Sequence, residues 1–174
     1  GLSVIVGSHM DDLTELAPYQ RMPLVYVAKA LFPGKNIIKN PLGGPIWIKK
    51  SLGLKASGTC SLKIEGVYKS PDFVIGETDL QDWKRRISET TVPWLEIRGK
   101  HFAFTVQKDR VLDNLESISS TLQEVGKEWD EAIEEFFFEY YGLKIDKDAE
   151  EKERAPEFPF RVVLDVQVLG NLYL

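Results

Sequence analysis

The sequence predicts an α+β fold, in which an antiparallel sheet packs against one long amphipathic helix (109–141) and one or two shorter helices. Two observations support this class. Apolar residues recur at alternating steps of four and three from Val111 to Phe136, which is typical of a helix. Alternating apolar residues, typical of strands, occur in three further segments. These proposed members of the sheet are residues 59–68, 92–106 and 158–168.

The long helix is the clearest predicted element. Asp109 lies near its start, where a negative charge is favourable, and Gly142 can adopt the left-handed conformation that ends a helix. A helix of this length cannot leave its apolar seam uncovered, so we expect the seam to pack on the chain's own sheet or on another helix. The seam consists of Val111, Leu115, Ile118, Leu122, Val125, Trp129, Ala132 and Phe136.

The other elements are shorter. Asp79 can cap a helix that runs through Ser88, and Pro23 suits the first turn of a helix that Pro33-Gly34 stops. Residues 46–54 fit either a strand or a short helix. Within 92–106, an Arg-Gly-Lys turn joins two apolar runs and predicts a β-hairpin.

The 174 residues fit a single domain. Gly7-Ser8-His9-Met10 resembles the scar left by removal of an affinity tag, so we expect residues 1–10 to be vector-derived, although residues 2–6 could add to a sheet edge as a strand. Residues 11–174 then form the domain. Within it, residues 144–157 are predicted to be a charged, solvated linker with room to move.

Composition predicts a cytoplasmic protein. The sequence has one cysteine, Cys60, which fits a reducing compartment, and no basic leader followed by an apolar stretch. No apolar run reaches the ~20 residues of a membrane span, so we expect no membrane partner.

Charge is divided unevenly along the chain. Nine basic residues and one acid lie between Arg21 and Lys69, although the net charge of the whole chain is −5. Such segregation indicates an anionic partner or self-association. Nucleic-acid grooves combine cations with aromatic stacking platforms, so the 21–69 segment supplies candidate nucleic-acid-binding residues. These are Lys35, Lys39, Trp47, Lys49, Lys50 and Lys55.

Residues that carry out bond-breaking chemistry are scarce. His101 is the single histidine outside the tag-like segment, and no paired His or Cys ligands occur, so we predict no metal site, no cofactor and no catalytic residue. Asp79 and Asp82 share one helix face and could hold a hydrated cation for a hydrolase. We favour the other interpretation, a helix cap followed by a first-turn acid.

The aromatic run that ends the long helix suggests an interface. Five aromatic residues in Phe136–Tyr141 cannot all face one core, because consecutive positions point around the helix. We expect Phe136 and Tyr140 to continue the seam, which Phe137 and Tyr141 could widen. Phe138 is either covered by the 158–168 strand, which we favour, or exposed to a partner. The candidate interface residues are Trp129, Phe137, Phe138 and Tyr141.

One resemblance rests on the order of several motifs. They are Ile46-Trp47-Ile48-Lys49-Lys50, the Trp94–Phe104 hairpin, the helix end Glu135–Tyr141 and Phe158-Pro159-Phe160-Arg161-Val162. Over residues 46–166 the chain resembles an uncharacterised family of bacteriophages and mobile elements, which implies no catalytic residues.

These observations lead to two functional hypotheses. The first is a non-enzymatic, phage-encoded protein that binds another protein or assembles with itself, through the helix seam. The alternative is non-specific or single-stranded nucleic-acid binding by the 21–69 segment.

Overall fold

The computed structural model describes residues 1–8, 18, 22, 24–51, 59–146 and 148–164. The chain divides into two compact units, whose boundary falls between Lys69 and Ser70. The predicted helix start at Pro23, Lys55 and the end of the 158–168 strand fall outside the described residues.

The first unit is built on an antiparallel sheet of three strands. These are β1 (Leu2–Val6), β2 (Val27–Ala30) and β3 (Ile46–Lys50), in the order β2-β1-β3. The predicted strand at 2–6 is therefore central and not at an edge, and two of its side chains, Val4 and Ile5, are buried.

The helix predicted up to Leu31 is wrong in its described part. Val27–Ala30 is a strand, paired with β1 in the register Val6↔Val27. The run Val25-Tyr26-Val27 combines β-branched and aromatic residues, which favour a strand and outweigh the helical spacing. The ambiguous 46–54 segment is a strand over Ile46–Lys50.

The second unit contains a four-stranded sheet in the order β4-β5-β6-β7. The predicted hairpin is confirmed, because β5 (Trp94–Arg98) and β6 (Phe102–Gln107) pair antiparallel. The outer strands β4 (Phe73–Val74) and β7 (Phe160–Val163) each pair parallel to their neighbour. The sheet is thus mixed, where we expected it to be antiparallel.

The strand predicted at 59–68 is wrong. These residues form no strand and are exposed, and Phe73–Val74 occupies the sheet position beside β5. Two hydrogen bonds to the Asp72 carboxylate fix this approach, one from the Ser70 hydroxyl (2.5 Å) and one from the Glu96 backbone N–H (2.9 Å). Alternation alone could not reveal those anchoring bonds.

Polar contacts fix strand β7 to the hairpin on the face of the sheet that carries Glu96 and Thr105. The guanidinium of Arg161 donates to the Thr105 hydroxyl (2.9 Å) and pairs with the Glu96 carboxylate. Thr105 is completely buried, so these bonds satisfy a hydroxyl that water cannot reach.

Three α-helices pack on this unit's sheet: α1 (Leu80–Glu89), α2 (Lys108–Asp113) and α3 (Leu115–Ile133). The predicted long helix is interrupted at Asn114, and α3 continues as a π-helical segment over Glu134–Glu139. The predicted stop is confirmed: Gly142 has φ 68°, and the Leu143 N–H donates to the Phe138 carbonyl at 2.7 Å.

The core of the second unit draws on the hairpin, β4 and all three helices. Its centre holds two fully buried aromatic side chains, Phe73 and Trp83, in edge-to-face contact at 5.0 Å between ring centroids. The α+β class is therefore confirmed. The buried core residues are Phe73, Trp83, Ile87, Leu95, Ile97, Phe102, Val106, Val111 and Leu122.

The charged 144–157 segment folds back on itself in its described part. The Lys144 N–H donates a hydrogen bond to the Glu153 carbonyl (2.6 Å), and the Ala155 N–H donates one to the Lys144 carbonyl (2.8 Å). A 3₁₀ turn at Glu151–Glu153 lies within this folded segment. Among the residues described, no helix is both long and apolar enough to cross a membrane.

Candidate binding surface

Two of the lysines proposed to contact nucleic acid, Lys49 and Lys50, lie on β3 but do not share one face of the sheet. Lys49 pairs with Ser3 and Lys50 with Leu2 on the central strand, so the two side chains point to opposite faces of the sheet. Trp47 is half-buried, and its indole N–H donates to the Gly7 carbonyl at 3.2 Å. Lys35 and Lys39 are exposed in the connection between β2 and β3.

The paired carboxylates of α1 are helix-capping and ion-pairing groups. Asp79 accepts a hydrogen bond from the Asp82 N–H at 2.8 Å, as expected of an N-cap. Asp82 contacts Arg85 (2.6 Å) and Arg86 (2.8 Å). Hydrogen bonds from Arg85, and then from Arg86, lower the pKa of Asp82 below its usual value. These contacts therefore agree with the capping interpretation that we favoured from the sequence.

A buried carboxylate joins the long helix to the tip of the hairpin. Asp130 of α3 accepts hydrogen bonds from the backbone N–H groups of Lys100 (2.9 Å) and His101 (2.8 Å). One turn further along, Glu134 contacts His101 Nε2 at 2.7 Å. Sequence reasoning missed this junction, because only the fold brings residues thirty positions apart into contact.

The apolar seam is buried over its first half alone. Val111 and Leu122 lie in the core, with Leu115 and Ile118 packed against them, whereas Val125 is exposed. After Leu122 the buried positions shift by one residue, to Gly126 and Asp130. A straight α-helix has 3.6 residues per turn and drifts away from a 3.5-residue seam, so the buried stripe leaves the predicted one. The buried first half of the seam is consequently not available to join two copies of the chain.

Gly126 lies where α3 faces the side chain of Ile75. A Cβ at this position would collide with that side chain, so a larger residue requires Ile75 to move. The fit brings the helix down onto the loop after β4. It also leaves Trp129 partly exposed, with its ring edge-to-face on Phe104 at 5.1 Å.

The aromatic run at the end of the helix presents rings to solvent. Phe138 is buried under β7, at 6.2 Å from the Phe160 ring and 5.0 Å from the His101 ring, so the favoured burial of Phe138 is observed. Phe136 and Tyr140 were assigned to the buried seam, but they are 71% and 80% exposed. The step from the partly buried Ile133 to the buried Phe138 is five residues, which matches the π-helical segment Glu134–Glu139.

The exposed rings contact one another in a chain. Phe137 lies 5.2 Å from Tyr141 and 5.2 Å from Phe160, and Tyr140 lies 5.1 Å from Tyr141. Phe137 and Tyr141 remain 42% and 65% exposed despite these contacts. Contacts among the rings therefore hold these aromatic side chains in place without covering them.

Acidic side chains flank these rings. Eight acidic residues and one lysine lie between Leu115 and Tyr141. Within the residues that the structure describes, Glu135 and Glu139 make no ion pair. We call the following exposed set the acidic aromatic face: Glu135, Phe136, Phe137, Glu139, Tyr140 and Tyr141.

Comparison with known proteins decides the family. Residues 66–170 match the family of peptidase M60, enhancin and enhancin-like proteins. The chain belongs to this family. The match spans the whole hairpin, the three helices and β7, which form the second unit.

Relatives that are human and not phage proteins align with most of this chain. Human TRPM8 channel-associated factor 1 is 30% identical over 169 residues, which is 96% of this chain but 16% of the relative. Human TRPM8 channel-associated factor 2 is 27% identical over 172 residues. The chain thus spans about a sixth of the length of these curated relatives. The phage and mobile-element assignment is wrong, and with it fall the phage assembly hypothesis and its nucleic-acid alternative.

Solved structures share the fold. A conserved protein of unknown function from Bacillus anthracis superposes with a TM-score of 0.61 at 20% identity, over 93% of this chain and 30% of that one. The M60 catalytic domain of Clostridium perfringens ZmpC, solved with the sialyl T antigen, has a TM-score of 0.56 at 16% identity, over 92% and 33%.

The donor set of this chain does not fit the metal centre of a metallopeptidase. A common zinc motif, His-Glu-x-x-His, places two histidines on one helix face, whereas the histidines here are His9 and His101. In the described ranges, no three His, Cys, Asp or Glu side chains cluster as metal ligands would. No catalytic step through a metal is therefore derived for these 174 residues.

Proposed function

We propose that this chain is a partner-binding part of an M60-family protein, and that its partner is a membrane channel of the kind named in its relatives. The similarity to TRPM8 channel-associated factors extends over 96% of the chain and supports this choice of partner. The proposal assigns binding to the chain, and it assigns no peptide hydrolysis to these residues.

The acidic aromatic face is the observation that carries the proposal. Soluble proteins seldom expose neighbouring large rings without a use for them, and aromatic residues are enriched among those that dominate binding energy. Tyr140 and Tyr141 are 80% and 65% exposed and lie on one helix end. A structural role in the unit's own core cannot account for side chains that the core does not cover.

A glycan ligand, as in the ZmpC complex, is the rival class of partner. Sialylated sugars carry a carboxylate, and Glu135 and Glu139 would repel it at the same surface. The charge of the face therefore favours a cationic partner over an acidic glycan.

Binding to a channel can be tested directly. We expect purified chain to bind TRPM8 reconstituted in nanodiscs saturably in biolayer interferometry, with empty nanodiscs as the control. A parallel assay would follow cleavage of a glycoprotein with added zinc. Failure to bind the channel would contradict the proposed partner, and chelator-sensitive cleavage would contradict the assignment of binding alone.

A further inference from the structure

We propose that the acidic aromatic face is a docking site for an arginine-rich segment of a partner protein. This inference rests on the proposed function, because it names the chemistry by which the partner is recognised. The occupant is a short basic segment whose guanidinium groups meet both the rings and the carboxylates of the face.

Residues four apart lie in one row along the helix end, and successive rows point in different directions around it. The three exposed rows are Glu135 with Glu139, Phe136 with Tyr140, and Phe137 with Tyr141, whose rings lie 5.2 Å apart. A flexible segment that wraps around this exposed side of the helix end can therefore reach both the carboxylates and the rings.

The chemistry of these rows selects a planar cation. The faces of Tyr and Phe rings attract cations, and guanidinium groups stack on rings more readily than ammonium groups do. A carboxylate beside the ring adds paired hydrogen bonds that match the fork of an arginine side chain. Neither an anionic nor a purely apolar ligand would satisfy both Glu135 and Glu139.

Among the described residues that follow the helix, Lys144 and Arg154 are cations that could neutralise the face, but both have other partners. The Lys144 ammonium donates to the Glu153 carboxylate at 2.7 Å, and this hydrogen bond, together with the charge of Glu153, raises the pKa of Lys144. Arg154 donates to the Ala149 carbonyl at 2.9 Å. These cations are engaged within the 144–157 segment, which leaves Glu135 and Glu139 as acids for a partner to meet.

The rings are also held before any partner arrives. Phe137 packs between Tyr141 and Phe160, each at 5.2 Å, and Phe160 belongs to β7 of the sheet. A preformed surface loses less side-chain entropy on binding than a mobile one. The face is thus suited to a flexible partner segment, which supplies the conformational adjustment itself.

The test uses a fluorescein-labelled peptide of arginines spaced by Gly-Ser, with Lys and Glu analogues of the same length. Fluorescence anisotropy is expected to show saturable binding in the order Arg, then Lys, with no binding of the Glu peptide. Raising the salt concentration should weaken the binding, since the carboxylates are exposed.

Two double variants separate the rings from the charges. Tyr140→Ala with Tyr141→Ala should weaken binding of the Arg peptide about tenfold and reduce the preference for Arg over Lys. Glu135→Gln with Glu139→Gln should weaken it by roughly threefold to tenfold and flatten its salt dependence. The matched control, Asp113→Asn with Glu124→Gln, removes the same charge from exposed positions away from the face and should leave the affinity nearly unchanged.

The outcomes distinguish this inference from the proposed function. Equal losses in the control and in the Glu135/Glu139 variant would overturn the inference, because net charge would then explain binding. Saturable binding of free sialyl T antigen that depends on Tyr140 would also overturn it. If TRPM8 binds wild type and the Tyr140/Tyr141 variant equally, the docking site is wrong while the proposed function stands. If the Arg peptide binds through the face but TRPM8 does not bind, the docking chemistry stands and the channel partner is wrong.

Discussion

Leu115, Ile118 and Leu122 in the first half of the long helix pack into the core, whereas Val125, Trp129 and Phe136 in the second half are exposed to different degrees. The same heptad-like pattern runs through both halves, so pattern alone does not tell a core stripe from a surface. The difference arises because, after Leu122, the buried residues are Gly126 and Asp130, each one position after a seam residue. We infer that the buried stripe of both halves serves the fold and that the exposed side chains of the second half serve a partner.

The largest expected difference in unfolding free energy is between variants at one residue from each half of the long helix. Leu122→Ala removes a buried side chain and should lower the free energy of unfolding by about 2–5 kcal/mol, through lost burial and a residual cavity. Phe136→Ala, at a position 71% exposed, should change it by less than about 0.5 kcal/mol. Urea denaturation followed by circular dichroism measures both, and similar losses for the two variants would break the contrast.

Removal of the buried Asp130 carboxylate should have the next largest effect on the unfolding free energy. Asp130→Ala leaves the N–H groups of Lys100 and His101 without their acceptor and should cost about 1–3 kcal/mol of unfolding free energy. The exposed Asp113→Ala serves as its control. Hydrogen exchange at the hairpin tip should accelerate in the Asp130 variant, and unchanged exchange there would mean that Asp130 does not hold the tip.

The Gly126→Ala variant tests whether close packing against Ile75 explains the shift of the buried stripe. The added methyl group meets the Ile75 side chain, and overpacking of this kind costs roughly 1–3 kcal/mol. Combining it with Ile75→Ala should recover part of that loss, because the smaller side chain makes room. A double-mutant cycle measures the coupling, and strictly additive losses would show that the two positions do not meet.

The smallest expected effect concerns the exposed ion pairs of α1. Arg85 contributes most to lowering the pKa of Asp82, and Arg86 contributes next. The stability that this carboxylate adds is present above its unfolded pKa, ~3.9, and is lost as the pH falls through the lower folded value. Arg85→Gln should raise the pKa of Asp82 toward its ordinary value, as measured by carboxyl NMR titration. An unchanged titration curve would contradict this pairing.

Local signals in the sequence were sufficient for several elements. The Asp79 cap, the hairpin on either side of its Arg-Gly-Lys turn and the stop at Gly142 each depend on neighbouring residues, and all three are confirmed. The 59–68 strand failed because a strand needs a partner, and the hydrogen bonds of Asp72 bring another segment to β5.

The candidate site was only partly predictable. Phe137 and Tyr141 were named from the crowded aromatic run, but Phe136 and Tyr140 were assigned to the buried seam. The five-residue step to Phe138 through a π-helical segment moves them outward, and no spacing rule signals such a step. The family was missed as well, because the resemblance rested on the order of motifs and not on shared residues.

Hydroxyl-radical footprinting of the chain, free and bound to TRPM8 in nanodiscs, addresses the central claim most directly. It reports the solvent exposure of individual aromatic side chains. We expect protection to concentrate at Phe136, Tyr140 and Tyr141, with little change at Tyr68, which is 83% exposed in the first unit. Protection at Tyr68 with none at Tyr140 would contradict the assignment of binding to the second half of the helix.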